Sequence, residues 1–251
     1  MLFDTHAHLD DIKFNDDREE VIQKIIDSGV GKLVNIGADI ESSENSIALA
    51  EKYDFIYAAV GVHPHDAKSV TEETLKKLEK MAANKKVVAI GEIGLDYFYD
   101  NSPRELQKYW FAQQLKLAEK LKKPVIIHTR DAIADTLEIL KNSTATGIIH
   151  CFSGSAEVAE QFLNMGFYIS FAGPLTYKNA RHSVEAAKIV PLDRLLIETD
   201  CPYLAPEGHR GKRNDSSLVG LVCDKMAQIK GISYDEMAEI TFKNAERVYT
   251  L

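Results

Sequence analysis

The chain has 251 residues, 45% hydrophobic and 27% charged, an ordinary globular composition that excludes a low-complexity or disulfide-stapled scaffold. A formal net charge of −8 argues against capture of nucleic acid by a broadly basic surface, although a local anion site stays open. Cys151, Cys201 and Cys223 form no CxxC pair, so neither a disulfide framework nor a zinc knuckle is expected, and a reducing compartment suits them.

Short apolar, β-branched runs alternate with longer helical patterns. The runs predict strands at 2–6, 32–36, 56–62, 87–91, 124–128, 146–150, 166–171 and 194–199. Between them the spacing predicts helices at 18–28, 42–52, 72–83, 103–121, 132–141, 156–165, 179–190 and 218–230, with a closing helical stretch at 234–249. Val21, Ile22, Ile25 and Ile26 show the helical period in the first of these, and Val87–Ile90 shows the continuous apolar run of a strand buried on both faces. Strand followed by helix, eight times over, implies parallel strands with crossover helices. No linker divides the chain, so residues 1–251 are expected to form a single-domain (β/α)8 TIM barrel, with an open doubly wound α/β sheet as the alternative. With no basic segment before an apolar core and no apolar run of eighteen residues, we expect a cytoplasmic chain lacking a signal peptide and a membrane span. No obligate protein partner is evident.

The reactive side chains recur at one place. His6 and His8 lie at the end of the first strand, His63 and His65 follow the third, Glu92 follows the fourth, His128 and His150 end the fifth and sixth, and Asp200 ends the eighth. Six of the eight histidines therefore sit at carboxyl ends of strands, the face on which barrel active sites form; His182 and His209 do not. Alternation along an extended strand turns His6 and His8 to the same side as Asp4, and aligns Glu92 with Ile90, His128 with Ile126, His150 with Ile148 and Asp200 with Glu198. An inward ring of imidazoles and carboxylates is costly to bury unless something binds it, and this donor set suits Zn, Mn, Fe or, with more water, Mg. A single buried histidine is more often a hydrogen-bonded core residue than a ligand; the shared placement is what favours metal. His63 and His65 flank Pro64, which stops the strand, and read as substrate contacts. Asp4 and Glu198 read as supporting or interior residues, Cys151 and Cys201 as small buried hydrophobes, and Tyr97 and Arg130 as loop packing unless they meet substrate.

The ordered series "DTHAHLD", "GVHPH", "GEIGLDY", "PVIIHTRDA", "HCFSG", "AGPLTYKNA", "ETDCPYLAP" and "RGKRN" resembles the TatD family of metal-dependent hydrolases, within the amidohydrolase superfamily, over nearly the whole chain. The resemblance implies a barrel with two divalent metal ions (Mg, Mn or Zn) and phosphodiester hydrolysis, as a deoxyribonuclease with 3′ to 5′ exonuclease action on DNA or oligonucleotides, single strands or 3′ ends favoured. Carried over by position, it implies that His6, His8 and Asp200 hold one ion, and that Glu92 bridges to a second, completed by His128 and His150. Asp200 and Glu92 become the catalytic carboxylates, while His63, His65, Arg130 and Arg210 become candidates for gripping phosphate. After Arg213–Asn214 many members read Glu-Pro, whereas this chain has Asp215, Ser216 and Ser217, still good N-cap types. The same scaffold can also serve an amide, lactone or carboxyl-ester hydrolase, and a non-catalytic binding protein would show a closed coordination sphere.

Overall fold

A computed structural model describes residues 1–251. Eight parallel strands alternate with helices: β1 (Leu2–Ala7), α1 (Arg18–Asp27), β2 (Val30–Ile36), α2 (Ile40–Lys52), β3 (Ile56–Val60), α3 (Glu72–Met81), β4 (Val87–Asp96), α4 (Arg104–Leu121), β5 (Val125–Arg130), α5 (Ile133–Leu140), β6 (Gly147–Ile149), α6 (Ala156–Asn164), β7 (Tyr168–Phe171), α7 (Arg181–Ile189), β8 (Leu195–Ile197), α8 (Val219–Lys230) and α9 (Tyr234–Tyr249). The sheet order follows the chain order from β1 to β8, and Ala7 bridges Cys201 in parallel. That bridge, where the first strand meets the segment after the last, distinguishes the (β/α)8 barrel from the open sheet. No helix is long and apolar enough to cross a membrane. Contacts divide the residues into two compact units, Met1–Val34 with His150–Leu251, and Asn35–Ile149.

In the first unit β1 is buried at every position. Phe3 packs on Phe242 and Tyr249 of α9, at ring distances of 5.6 and 5.9 Å, and the Tyr249 hydroxyl donates to the Thr5 carbonyl at 2.9 Å. Asn244, on the same helix, donates to the carbonyls of Leu192 and Leu195. The terminal helix thus anchors the strand that opens the chain and the one that ends it. Register between those strands is set by backbone bonds: the Asp200 amide donates to the His6 carbonyl at 2.9 Å, and the His8 amide to the Cys201 carbonyl at 2.8 Å.

In the second unit β4 is the longest strand, ten residues and wholly buried, running five residues beyond the predicted end. Its pairing with β5 shifts between Ile90 and Ile93, so simple alternation does not carry through Glu92. The glycines explain the extension. Gly94 lies opposite His128 with φ +141°, and a Cβ there would stand 1.9 Å from the His128 carbonyl oxygen; one on Gly91 would stand 2.6 Å from Ile126 Cβ. Only backbone without side chains lets β4 approach β5 this closely. Gly94→Ala is expected to destabilise the fold by roughly 3 kcal/mol or more, through left-handed strain and overpacking combined. Urea unfolding measures it, and a variant with the wild-type midpoint would contradict this account of β4.

Helix α4 supports the same strand ends with amides set in its buried stripe of Gln107, Trp110, Phe111 and Gln114. Gln114 accepts from the Val62 amide at 2.8 Å and donates to the Val62 carbonyl at 3.0 Å. Gln107 accepts from the Asp96 amide at 2.8 Å and donates to the carbonyls of Asp96 and Ser102. These side chains satisfy backbone groups where the strands leave the sheet and have no neighbouring strand to pair with.

Candidate metal centre

The first unit assembles its reactive residues through the register of β1 against the segment after β8. The His6 and His8 Nε2 atoms converge to 3.1 Å, and Asp200 Oδ1 lies 3.7 Å from the first and 3.5 Å from the second. His6 is fully buried, while His8 and Asp200 are each 14% exposed, so the pair opens toward solvent on one side. Asp200 takes φ +57°, a left-handed conformation that aspartate tolerates better than most residues. Burial works to raise its carboxyl, but the hydrogen bond from His8 and the nearby imidazoles of His6 and His150 lower it on balance, so it is ionised at neutral pH.

His150 stacks on His6 at 4.0 Å between ring centroids, nearly parallel, and its Nδ1 lies 3.2 Å from Glu198 Oε1. The same Glu198 oxygen accepts from the Cys151 amide at 2.8 Å. Beneath them Asp4 accepts from the Thr199 amide at 2.9 Å and the Thr199 hydroxyl at 2.6 Å, and burial pushes its carboxyl up to about 7 despite those bonds. Cys201 is buried, as expected of a small hydrophobe, whereas Cys151 is only half-buried and turns through φ +45° to place its amide on Glu198.

The second unit builds its own group around the end of β4. Glu92 Oε1 lies 2.9 Å from His128 Nδ1 and 3.6 Å from His63 Nε2. Asp96 Oδ2 lies 3.0 Å from His128 Nε2 and 3.0 Å from His65 Nε2. His128 is thus held between two carboxylates, one on each ring nitrogen. Burial opposes ionisation of Asp96, but His128, the Tyr99 amide and His65 together hold its carboxyl well below the usual carboxylate range. His63 caps the short 3-10 turn Pro64–Ser69, its Nδ1 accepting from the His65 amide at 3.1 Å, which fixes the ring beside His128 at 4.6 Å.

Within each unit one set places three donor atoms within reach of a single ion: His6, His150 and Glu198 in the first, and His63, Glu92 and His128 in the second. The first set carries a mark of that role, because Glu198 Oε2 is buried with no hydrogen-bond partner. A buried carboxylate oxygen in that position is destabilising unless a cation or water meets it. Histidine nitrogens with carboxylate oxygens fit Zn or another borderline divalent ion, or Mn held chiefly through the carboxylates, and Asp96 behind His128 supplies the carboxylate–histidine support common at such sites.

The structure regroups some of the sequence candidates. His63, expected to touch substrate, joins Glu92 and His128. His150 lies with His6 and Glu198, and Glu198, read as a supporting residue, belongs to a donor set. Sequence reading did not single out Asp96; its position four residues after Glu92, inside "GEIGLDY", was the available signal. Arg130 is exposed, with its guanidinium 3.9 Å from the Phe98 ring centroid. Arg210 rests on Tyr177 at 4.4 Å, and Arg213 is committed to Asp17 through paired contacts. Asp215 caps the following turn through the Ser217 amide at 3.0 Å, as its residue type suggested.

The family model described as TatD related DNase matches residues 3–250. A metal-dependent hydrolase of Bacillus subtilis, YabD, is 48% identical over 100% of both chains, and YcfH of Escherichia coli K12, also named a metal-dependent hydrolase, is 39% identical over 99% of this chain and 96% of its own. Among solved structures, the TatD homolog YJJV of E. coli K12 superposes with a TM-score of 0.95 at 33% identity, covering 100% of this chain and 98% of that one. A TatD family hydrolase of Entamoeba histolytica superposes at 0.88 with 26% identity, covering 99% and 97%. With its barrel, its two histidine–carboxylate groups at strand ends and this full-length similarity, the chain belongs to the TatD family of metal-dependent hydrolases.

Proposed function

We propose that this hydrolase is a deoxyribonuclease that shortens DNA or oligonucleotides from the 3′ end. The observation that carries the reading is the pair of histidine–carboxylate groups at the carboxyl ends of the strands, together with the family's description as DNases. His6, His8 and Asp200 would hold one divalent ion, and Glu92 with His128 and His63 another, while His150 and Glu198 add donors on the His6 side. Such ions lower the pKa of water toward neutrality and offset charge on a phosphate undergoing in-line displacement.

The chain's own residues do the rest. Asp200, ionised and open to solvent on one side, accepts the proton of the attacking water. Glu92 fixes His128 through Nδ1 and Asp96 fixes it through Nε2, so the ring is held before substrate arrives. Arg130 and Arg210 offer guanidinium groups to phosphate oxygens, and His65 contributes a further polar contact.

The test is metal removal followed by a substrate panel. Dialysis against EDTA should abolish cleavage, and Mg, Mn or Zn should restore it. The restored enzyme should shorten single-stranded DNA from its 3′ end faster than it cleaves duplex DNA, RNA or simple carboxyl esters. Full activity in EDTA would sink the metal assignment; ester cleavage without DNA cleavage would transfer the function to a carboxyl-ester hydrolase on the same scaffold.

A further inference from the structure

Beyond the donor sets, the end of β4 presents two large aromatic rings to solvent. Phe98 and Tyr99 are each 55% exposed. A single exposed aromatic side chain needs no explanation, but these are adjacent, fixed and attached to the site. Asp96 Oδ1 accepts from the amides of both residues, at 3.0 and 2.9 Å, while its other oxygen faces His65 and His128. One carboxylate therefore sets both the aromatic turn and the histidines. Tyr97, just before them, is tied inward by a 2.6 Å bond from its hydroxyl to Asp135 and a backbone bond to the Arg130 carbonyl.

The rings are arranged to receive a planar partner beside a negative charge. Phe98 and Tyr99 meet edge to face, with centroids 5.0 Å apart, and Tyr99 stands 5.3 Å from His65. The Arg130 guanidinium lies 3.9 Å from the Phe98 ring and 4.9 Å from the Tyr99 ring, and it forms no ion pair. An aromatic face with an adjoining unpaired cation matches a nucleotide: the base stacks, and the phosphate meets the arginine. A base inside a duplex has both faces covered by its neighbours, so an unpaired base near a strand end fits the exposed rings better.

We infer that Phe98 and Tyr99 form a stacking platform for an unpaired nucleobase flanking the scissile phosphodiester, with Arg130 holding the adjoining phosphate. The inference deepens the proposed nuclease reading and rests on it for the position of the scissile bond. The platform makes this chain's selectivity depend on the base as well as on the phosphate.

The test compares an oligodeoxynucleotide with one that is abasic at its two 3′-terminal positions. Two readouts are used: KM for cleavage with Mn²⁺, and fluorescence anisotropy with Ca²⁺ in its place. Wild type should favour the base-bearing strand by roughly tenfold or more, as stacking of a base on aromatic side chains predicts. The double variant Phe98→Ala/Tyr99→Ala should bring that ratio close to one, and Phe98→Tyr/Tyr99→Phe, which keeps both rings, should restore it. A ratio near one in wild type, or an unchanged ratio in the alanine variant, overturns the platform even where DNA is cleaved. Base-dependent binding that the alanine variant loses, with no phosphodiester cleavage, instead overturns the nuclease reading and leaves the platform standing.

Discussion

Glu92→Ala is expected to lower metal-dependent kcat/KM by at least about 10³-fold, equivalent to about 4 kcal/mol of transition-state stabilisation. It should also remove at least one equivalent of bound metal from the purified protein. The reason is local. Glu92 Oε1 faces His128 Nδ1 at 2.9 Å and His63 Nε2 at 3.6 Å, so it is the only carboxylate of the donor set these three residues form. Without it the set has two neutral imidazoles, a weaker site for Mg or Mn, which favour oxygen donors. Glu92→Gln separates charge from volume: it fills the same space and should lose nearly as much activity. Metal analysis alongside steady-state kinetics checks both variants. Retention of full metal content and normal cleavage by Glu92→Ala would refute the assignment of that carboxylate.

Asp96→Asn should weaken metal binding by about 10- to 100-fold, the usual effect of removing a carboxylate behind a ligating histidine. It should also reduce stability by about 1–3 kcal/mol, because an amide cannot accept at both ends. Asp96 is almost fully buried and serves four partners: the amides of Phe98 and Tyr99 on one oxygen, and His65 and His128 on the other. In the asparagine variant one of these pairs meets an NH2 group instead of an oxygen. Metal titration by calorimetry and urea unfolding in EDTA read the two effects separately. An unchanged metal affinity with lowered stability would confine Asp96 to a structural role. Loss of both would support its place as the link between the aromatic turn and the histidines.

Much of this was legible in the sequence because it depends on local pattern. Every strand and helix lies where the alternation placed it, with ends displaced by a few residues. The largest displacement, at β4, has an identifiable cause. Gly91 and Gly94 are the residues that let β4 run on against β5 to Asp96. Period-two counting also failed there, since the register shift between Ile90 and Ile93 interrupts alternation at the position of Glu92.

By itself the sequence determined the succession of eight strands and helices, the family, and the recurrence of imidazoles and carboxylates at strand ends. Those follow from hydrophobic periodicity and residue order, which folding does not alter. Tertiary structure decided which of those residues meet. It grouped His63 with Glu92 and His128, set His150 on His6 with Glu198, committed Arg213 to Asp17, and made Asp96 the shared acceptor beneath Phe98 and Tyr99. The physical reason is that contact between distant residues depends on register shifts, loop turns and backbone approach of a few tenths of an ångström to a few ångströms, and residue spacing along the chain does not encode these.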